Sequence, residues 1–472
     1  MADTVFVRFV PKSRRAMSRM TAFEAPLAPN AAQAFAPDPR LAQRAQVELA
    51  GRNVEALKTP ENRLEASMSI QQFTDMFGMG VTSTASGADA APKAVQRLTK
   101  HEDFLLPPAE IIVPDALKDT IDFAYVPRPI EYHAVSFIPP MEDNYHLRLE
   151  TVVQAVNAAR CHRRGWTGRG VKVAMTDSGF ARHPYFDRGG YNIVRLSGPG
   201  AANPEKDLQG HGTGESANVL AVAPDVTLIC IKQGSSAAGD IETALAQEPG
   251  VITNSWGWSI DNVTKTQLKQ NDPNMFNELV DIETVIADAI ARGVIVCFSA
   301  GNGHLSFPAS IPQVLAIGGA MVLADGTIQA SNYASSFASQ LYPDRRVPDF
   351  CGIVGSATPV DGVLPGHIML PVPPGSGLDG ENFSPRPGNI GWGIFSGTSA
   401  ASPQIAGVIA LMKGVNPKLT SDQVRQILRS TAIDVTDGRS AMGESATEGL
   451  DFATGAGLVD AHQACEAAAA MT

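Results

Sequence analysis

The chain has 472 residues, a formal net charge of −11, and 44% hydrophobic and 18% charged residues, the proportions of a soluble globular protein with a sizeable core. An acidic balance without a basic, aromatic-interleaved patch argues against binding to nucleic acid or to an acidic membrane surface. In the opening MADTVFVRFVPKSRRAM, Arg8 interrupts the apolar run, so a signal-peptide core and a membrane span are excluded there and a cytoplasmic location is expected.

Residues 1–140 are Pro-punctuated and irregular. Two strand-like runs, 5–10 and 120–126, lie either side of an amphipathic helix at 69–77, and the Ala/Pro-rich stretch 21–40 reads as linker. A small α+β unit is expected. Composition shifts near 140–147, and residues 141–472 read as a second domain. A helix at 147–163 precedes strands at 171–177, 226–232, 250–255, 293–299 and 314–318, with helices near 213–221, 240–247 and 276–292 between them. The strands are near-continuous β-branched and apolar runs, as in strands covered on both faces. The expectation is an α/β fold: a doubly wound, mostly parallel sheet with helices on both faces. A polar stretch at 258–275 and a Pro/Gly-rich one at 352–392 read as surface loops.

The five cysteines (161, 230, 297, 351, 465) form no CxxC pair. Cys230 and Cys297 sit in apolar strand-like runs and read as buried thiols, and the odd count favours a reducing compartment.

Chemistry concentrates at strand ends and helix starts. Asp177 ends the 171–177 strand, His211 stands in GHGTG where a helix begins, and Asn302 follows the 293–299 strand in SAGNG. Ser399 lies between Gly397 and an apolar helix that carries Pro403, which is placed in the first turn, where no N–H bond is lost. Each residue has an ordinary alternative: turn or cap for Asp177, structural for His211, left-handed turn for Asn302, helix cap for Ser399. Together they supply an acid, a base, a nucleophile and a neutral donor.

In the order Asp, His, Ser the chain resembles the subtilisin-like serine proteases (subtilases). VAMTDSG (173–179), GHGTG (210–214), FSAGNG (298–303) and GTSAASPQIAG (397–407) are similar to that family's Asp, His, oxyanion-hole and Ser motifs. VITNSWG (251–257), FPASIPQVLAIGG (307–319) and TGAGLVDAHQA (454–464) resemble its substrate strand, post-oxyanion and closing segments, so the resemblance spans roughly 147–465.

The resemblance implies a serine endopeptidase acting through an acyl-enzyme. Ser399 is the implied nucleophile, His211 the base, Asp177 its orienting acid, and Asn302 with the Ser399 N–H the oxyanion donors. Ser255, Trp256, Gly257 and Gly301 are the implied substrate-binding residues, with Trp256 narrowing a neighbouring pocket. Protein or peptide is the implied substrate. No cofactor is required and no metal ligand is assigned. Many members carry structural calcium, for which Asp261-Asn262 and Asn271-Asp272-Pro273-Asn274 are the candidate residues, against ordinary turn chemistry. Residues 1–140 are either a propeptide-like intramolecular inhibitor or an unrelated docking region.

Two departures from the family pattern stand out. Gly214-Glu215 replaces the usual apolar continuation after the His motif, and Glu215 reads as raising the basicity of His211, as favouring a basic substrate residue, or as a first-turn residue on the helix dipole. Gly303 stands where an acidic residue is common, which favours apolar side chains in the first pocket. A catalytically impaired pseudoprotease that binds peptides or acts as a scaffold is the competing reading, and a transferase or ligase with the same triad is a third.

Overall fold

The computed structural model describes residues 4–13, 35–84, 104–128, 131–132, 135–137, 146–260, 262–357, 366–382 and 390–471. Alternation along Thr4–Pro11 sets the N-terminal unit. Val5, Val7 and Phe9 enter one apolar cluster with Leu49, Phe73 and Phe77, while Val10 faces the opposite way into the core of the larger unit. A strand with a period of two does this when both faces of its sheet are covered. The sheet is antiparallel, in the order Ala56–Lys58, Leu64–Ser69, Thr4–Pro11, Ile121–Tyr125. Its helices are Pro39–Ala50 and Ile70–Phe77. The second starts on a reciprocal cap between Ser69 and Gln72 and ends at Gly78 in the left-handed conformation. Burying each Phe or Leu of this cluster contributes roughly 1.5–3 kcal/mol.

The expected strands at 5–10 and 120–126 and the helix at 69–77 are all present. The linker reading is corrected in part: residues 21–34 of that stretch lie outside the described residues, but the helix Pro39–Ala50 begins inside it, capped by Asp38.

The larger sheet runs in the order Asn192–Ser197, Thr227–Lys232, Lys172–Asp177, Val251–Asn254, Ile295–Ser299, Leu315–Val322. These neighbours are all parallel. Ile328–Ala330 joins Leu315–Val322 antiparallel, and Phe350–Ile353 joins it parallel. Both faces are covered. Val173, Met175, Leu228 and Cys230 enter one core cluster, and Ala174, Ile229 and Ile231 enter the other. That explains the unbroken apolar runs. After Lys172–Asp177 the chain crosses to the outermost strand Asn192–Ser197, comes back through Thr227–Lys232, and then builds outward on the other side from Val251–Asn254. The crevice beyond the carboxyl ends of Lys172–Asp177 and Val251–Asn254 is where ligands settle in doubly wound sheets.

Several boundaries differ from expectation. The helix at 147–163 is two, Leu149–Ala155 and Ala158–Arg163, broken where Asn157 takes φ +57°. The polar loop at 258–275 contains the helix Lys265–Asn271, capped reciprocally by Thr264 and Gln267. The 352–392 loop contains the strand His367–Pro371, which pairs antiparallel with Trp392–Ser396; its residues 358–365 and 383–389 lie outside the described residues.

Pro403 is the sixth residue of the helix Thr398–Val415, past the first turn. The missing N–H leaves the carbonyl of Ser399 without its helical donor, and the Ser255 hydroxyl takes that place at 2.8 Å. All five cysteines are buried free thiols. Among the described residues no helix is long and apolar enough to cross a membrane.

Candidate active site

Asp177 and His211 meet at the switch crevice. Asp177 is the last residue of its strand, and its Oδ1 accepts from the Ser178 N–H and pairs with Nδ1 of His211, each at 2.7 Å. His211 opens the helix His211–Val222. The cap of that helix comes from Asp207, which the sequence reading missed. Its carboxylate accepts from Gly210 N (2.8 Å), Thr213 N (3.0 Å), Thr213 Oγ1 (2.6 Å) and Ser178 Oγ (2.9 Å). Asp207 thus ties the start of the His211 helix to the turn after Asp177. A buried Asp just ahead of a Gly-led helix start was the available signal. Gly214 lies against Phe395: a Cβ there would come 2.5 Å from the ring, so this face of the helix admits glycine alone.

Burial by itself would lower the pKa of His211. Asp177, with Glu215 and Asp207, reverses this and holds it above the usual histidine value.

Ser399 is the second residue of the buried helix Thr398–Val415, after Gly397 at φ +104°. No earlier turn supplies carbonyls there, so its N–H points out of the helix start. Its hydroxyl donates to the Ser255 carbonyl at 3.1 Å. Gln404 holds the helix to the sheet, accepting from Ile353 N at 2.7 Å and donating to Ile353 O at 2.9 Å. Asn302 accepts at Oδ1 from Thr398 N at 2.9 Å, which engages the oxygen of its amide and leaves the NH₂ as the group offered elsewhere. Gly301 donates to Thr398 Oγ1 at 3.1 Å.

Trp256 corrects an expectation. Its side chain is wholly buried, donates from Nε1 to Thr176 Oγ1 at 2.8 Å, and packs edge-on against Trp258 and Phe298. Buried in this way, the side chain is not exposed to narrow a neighbouring pocket.

The backbone edge of this strand is engaged. Tyr132 pairs antiparallel with Trp256 and Glu131 with Gly257. Farther along, Val135, Ser136 and Phe137 pair antiparallel with Ser396, Phe395 and Ile394. The first pairing continues towards Ser255, whose carbonyl receives the Ser399 hydroxyl, and the second begins three residues before Ser399. Residues 131–132 and residues 135–137 therefore each have a partner strand, one on either flank of Ser399. The alternating EYHAVSF was the only sequence signal of this.

Glu215 is also corrected. It is the fifth residue of its helix and wholly buried, with Oε2 accepting from Asn218 Nδ2 at 2.9 Å. Burial pushes its carboxyl up to about 8, and burial does the same to Glu278. A carboxyl raised in the folded state contributes stability that is complete below the ordinary value of about 4.5 and is lost as pH rises through about 8. Thermal unfolding should therefore show Tm falling across this window, and Glu278→Gln should flatten the fall. An unchanged slope in the variant would contradict it.

The calcium candidates are committed elsewhere. Asp272 caps the helix Pro273–Ala291 through Met275 N at 2.9 Å and pairs with Arg128, while Asn274 bonds both Val126 N and Val126 O at 3.0 Å. Asn262 accepts from Gln340 N at 3.2 Å, and Asp261 lies outside the described residues. Asp272, Asn274 and Asn262 are thus each engaged in contacts within the protein. Among the described residues no cluster of three or more His, Cys, Asp or Glu is arranged to hold a metal.

The subtilase family model matches residues 168–457. The chain belongs to the subtilase family. Its relatives include subtilisin NAT of Bacillus subtilis subsp. natto, 29% identical over 59% of this chain and 65% of that one. Subtilisin Savinase of Lederbergia lenta is 29% identical over 59% of this chain and 90% of that one. The chain thus spans just under two thirds of the length of subtilisin NAT. Among solved structures, fervidolysin from Fervidobacterium pennivorans, a keratinolytic enzyme related to subtilisin, aligns over 98% of this chain and 61% of its own, with a TM-score of 0.57 and 16% identity. That likeness concerns the fold. The subtilase match covers all four motif residues, Asp177, His211, Asn302 and Ser399, whereas residues 1–167 lie outside it.

Proposed function

We propose that this subtilase is a serine endopeptidase. Ser399 Oγ attacks the scissile carbonyl while His211 Nε2 takes its proton, and Asp177 holds the ring and stabilises the imidazolium. The amide of Asn302 and the N–H of Ser399 donate to the oxyanion. As the C–N bond breaks, His211 returns the proton to the leaving amine. Water, activated in the same way, then opens the acyl-enzyme and releases the acid. Ser255–Gly257 add to an extended substrate through backbone bonds. The buried Asp177–His211 contact at 2.7 Å carries this reading, with the His211 ring 6.3 Å from that of Phe395, four residues before Ser399. Asn302→Leu should lower kcat by about 10²–10³, a magnitude set by subtilisin itself, with little change in KM; peptide hydrolysis kinetics check it.

The N-terminal unit acts as an intramolecular inhibitor. Its sheet docks on the helices Ala237–Leu245 and Pro273–Ala291 through Arg8, Arg63 and Tyr125, which bond Glu242 and Asp281. The pairings of 131–132 and 135–137 support a substrate-like passage, with cleavage between Tyr132 and Val135. The five buried thiols fit a reducing, cytoplasmic setting.

Mass spectrometry of the purified full chain tests both parts. The expected result is a fragment that begins at residue 133, 134 or 135 in the wild type and an intact chain in Ser399→Ala. A wild type that stays intact and hydrolyses no peptide would overturn the proposal.

A further inference from the structure

Glu215 lies one helical turn beyond His211 on the same buried face. Its Oε1 is 3.9 Å from Nε2 of His211, the ring nitrogen opposite the one held by Asp177. Oε2 is fixed by Asn218 at 2.9 Å, and Asn218 in turn accepts from Gln404 of the Ser399 helix at 3.4 Å. Oε1 is buried and has no hydrogen-bond partner among the described residues. A carboxyl oxygen left unbonded in the interior is costly, and this one faces the nitrogen that must receive a proton.

We infer that Glu215 is a positioning residue for the reaction, and that its carboxyl at Nε2 sets the pH above which His211 can act as base. This rests on the peptidase reading above. An ionised Glu215 stabilises the imidazolium, and an imidazolium cannot accept the Ser399 proton. Burial raises the Glu215 carboxyl to about 8 while Asp177 and Glu215 raise His211, and two groups this close titrate as an interacting pair.

The charges on Glu215 are those of His211 and Asp177, and His211 also feels Asp207. Of the other packed elements, the strand His367–Pro371 brings His367, Thr227–Lys232 brings Cys230 and Lys232, and Leu149–Ala155 brings Glu150. The Ser399 helix brings neutral Gln404 and, in its last turn, Lys413. None of these is among the principal groups that shift His211 or Glu215. The glutamate charge is thus the one that replacing this side chain removes.

The test is the pH profile of kcat/KM for peptide hydrolysis in wild type and Glu215→Gln, which keeps the acceptor for Asn218. Removing a negative charge lowers the pKa of His211, so the acid limb should move down by about one pH unit or more, making the variant about tenfold faster on that limb. Coincident limbs would overturn the inference. If Glu215→Gln does not fold, Glu215→Met, with similar reach and no charge, must give the same downward shift. In the full-length Ser399→Ala chain, the low-field Nδ1 proton resonance of His211 should also titrate at lower pH once Glu215→Gln is added. A moved resonance in a protein whose wild type cleaves nothing would sink the peptidase reading and, with it, the role of Glu215 in the reaction, leaving only the coupling between the two side chains. A cleaving wild type with an unmoved limb and resonance would sink the inference about Glu215 and spare the peptidase reading.

Discussion

Ser399→Ala in the full chain is expected to lower kcat for peptide hydrolysis by about 10⁶, the loss that removing the nucleophile causes in subtilisin itself. The cause is the disappearance of the hydroxyl that, on the proposed mechanism, forms the acyl bond. Structure should survive the change. Oγ makes one neutral hydrogen bond, to the Ser255 carbonyl at 3.1 Å, whose loss costs about 1 kcal/mol. The reciprocal bond from Ser255 Oγ to the Ser399 carbonyl is a backbone contact that alanine keeps. Activity near the wild-type rate in a folded variant would remove Ser399 from the mechanism. Loss of activity together with collapse of the thermal transition would make the residue structural.

The second large effect belongs to Arg8. Its side chain is wholly buried between the two units, with Nε donating to Asp281 Oδ2 at 2.6 Å, Nη1 to Ser236 Oγ at 3.0 Å, Nη2 placed 3.1 Å from Glu242 Oε2, and a further bond to Glu65. Arg63 holds the other oxygens of the same acids, Nε reaching Asp281 Oδ1 at 2.7 Å. Tyr125 adds its hydroxyl to Asp281 at 2.9 Å. Two guanidinium groups thus face three carboxylates in a desolvated interface. Arg8→Met removes one cation and leaves Glu65, Glu242 and Asp281 with Arg63 alone among the buried cations of this cluster. Breaking a buried pair from one side costs about 3–5 kcal/mol, a weakening of the docking by about 10²–10⁴. After self-cleavage the wild-type fragment should remain with the larger unit on size exclusion and keep peptide hydrolysis slow, whereas Arg8→Met should release it and run fast from the start. Equal retention in the two proteins would show that apolar contacts, such as those of Val10 and Phe123, carry the docking instead.

How much of this was legible depends on what each residue's signal requires. Strands with both faces covered, such as Lys172–Asp177 and Ile295–Ser299, announce themselves because every position must be apolar or bonded. Asn192–Ser197 was missed: it is an outermost strand, partly exposed along its length, and its Asn and Arg break the apolar run. Of the helices overlooked, two had their caps written in stretches that read as linker or loop. Asp38-Pro39 opens Pro39–Ala50, and Thr264 with Gln267 opens Lys265–Asn271, but composition outweighed capping in both readings.

The four motif residues were readable because each sits at a strand end or helix start with a Gly neighbour. The orientation of Trp256 was not, since a strand residue's face depends on a register that no single segment fixes. Nor was the Arg8 cluster, whose partners lie 57 to 273 residues away along the chain. Glu215 shows the same limit. Its spacing from His211 was visible, but whether it met solvent or the imidazole depended on how Phe395 and Asn218 close around the helix.

The most direct test of the central claim is covalent. A fluorophosphonate probe should phosphonylate the protein once the N-terminal fragment has been released, and peptide mapping should place the adduct on Ser399. Ser399→Ala should take no label, and His211→Ala should react far more slowly. A folded, processed wild type that takes no label, or an adduct at another serine, would contradict the account.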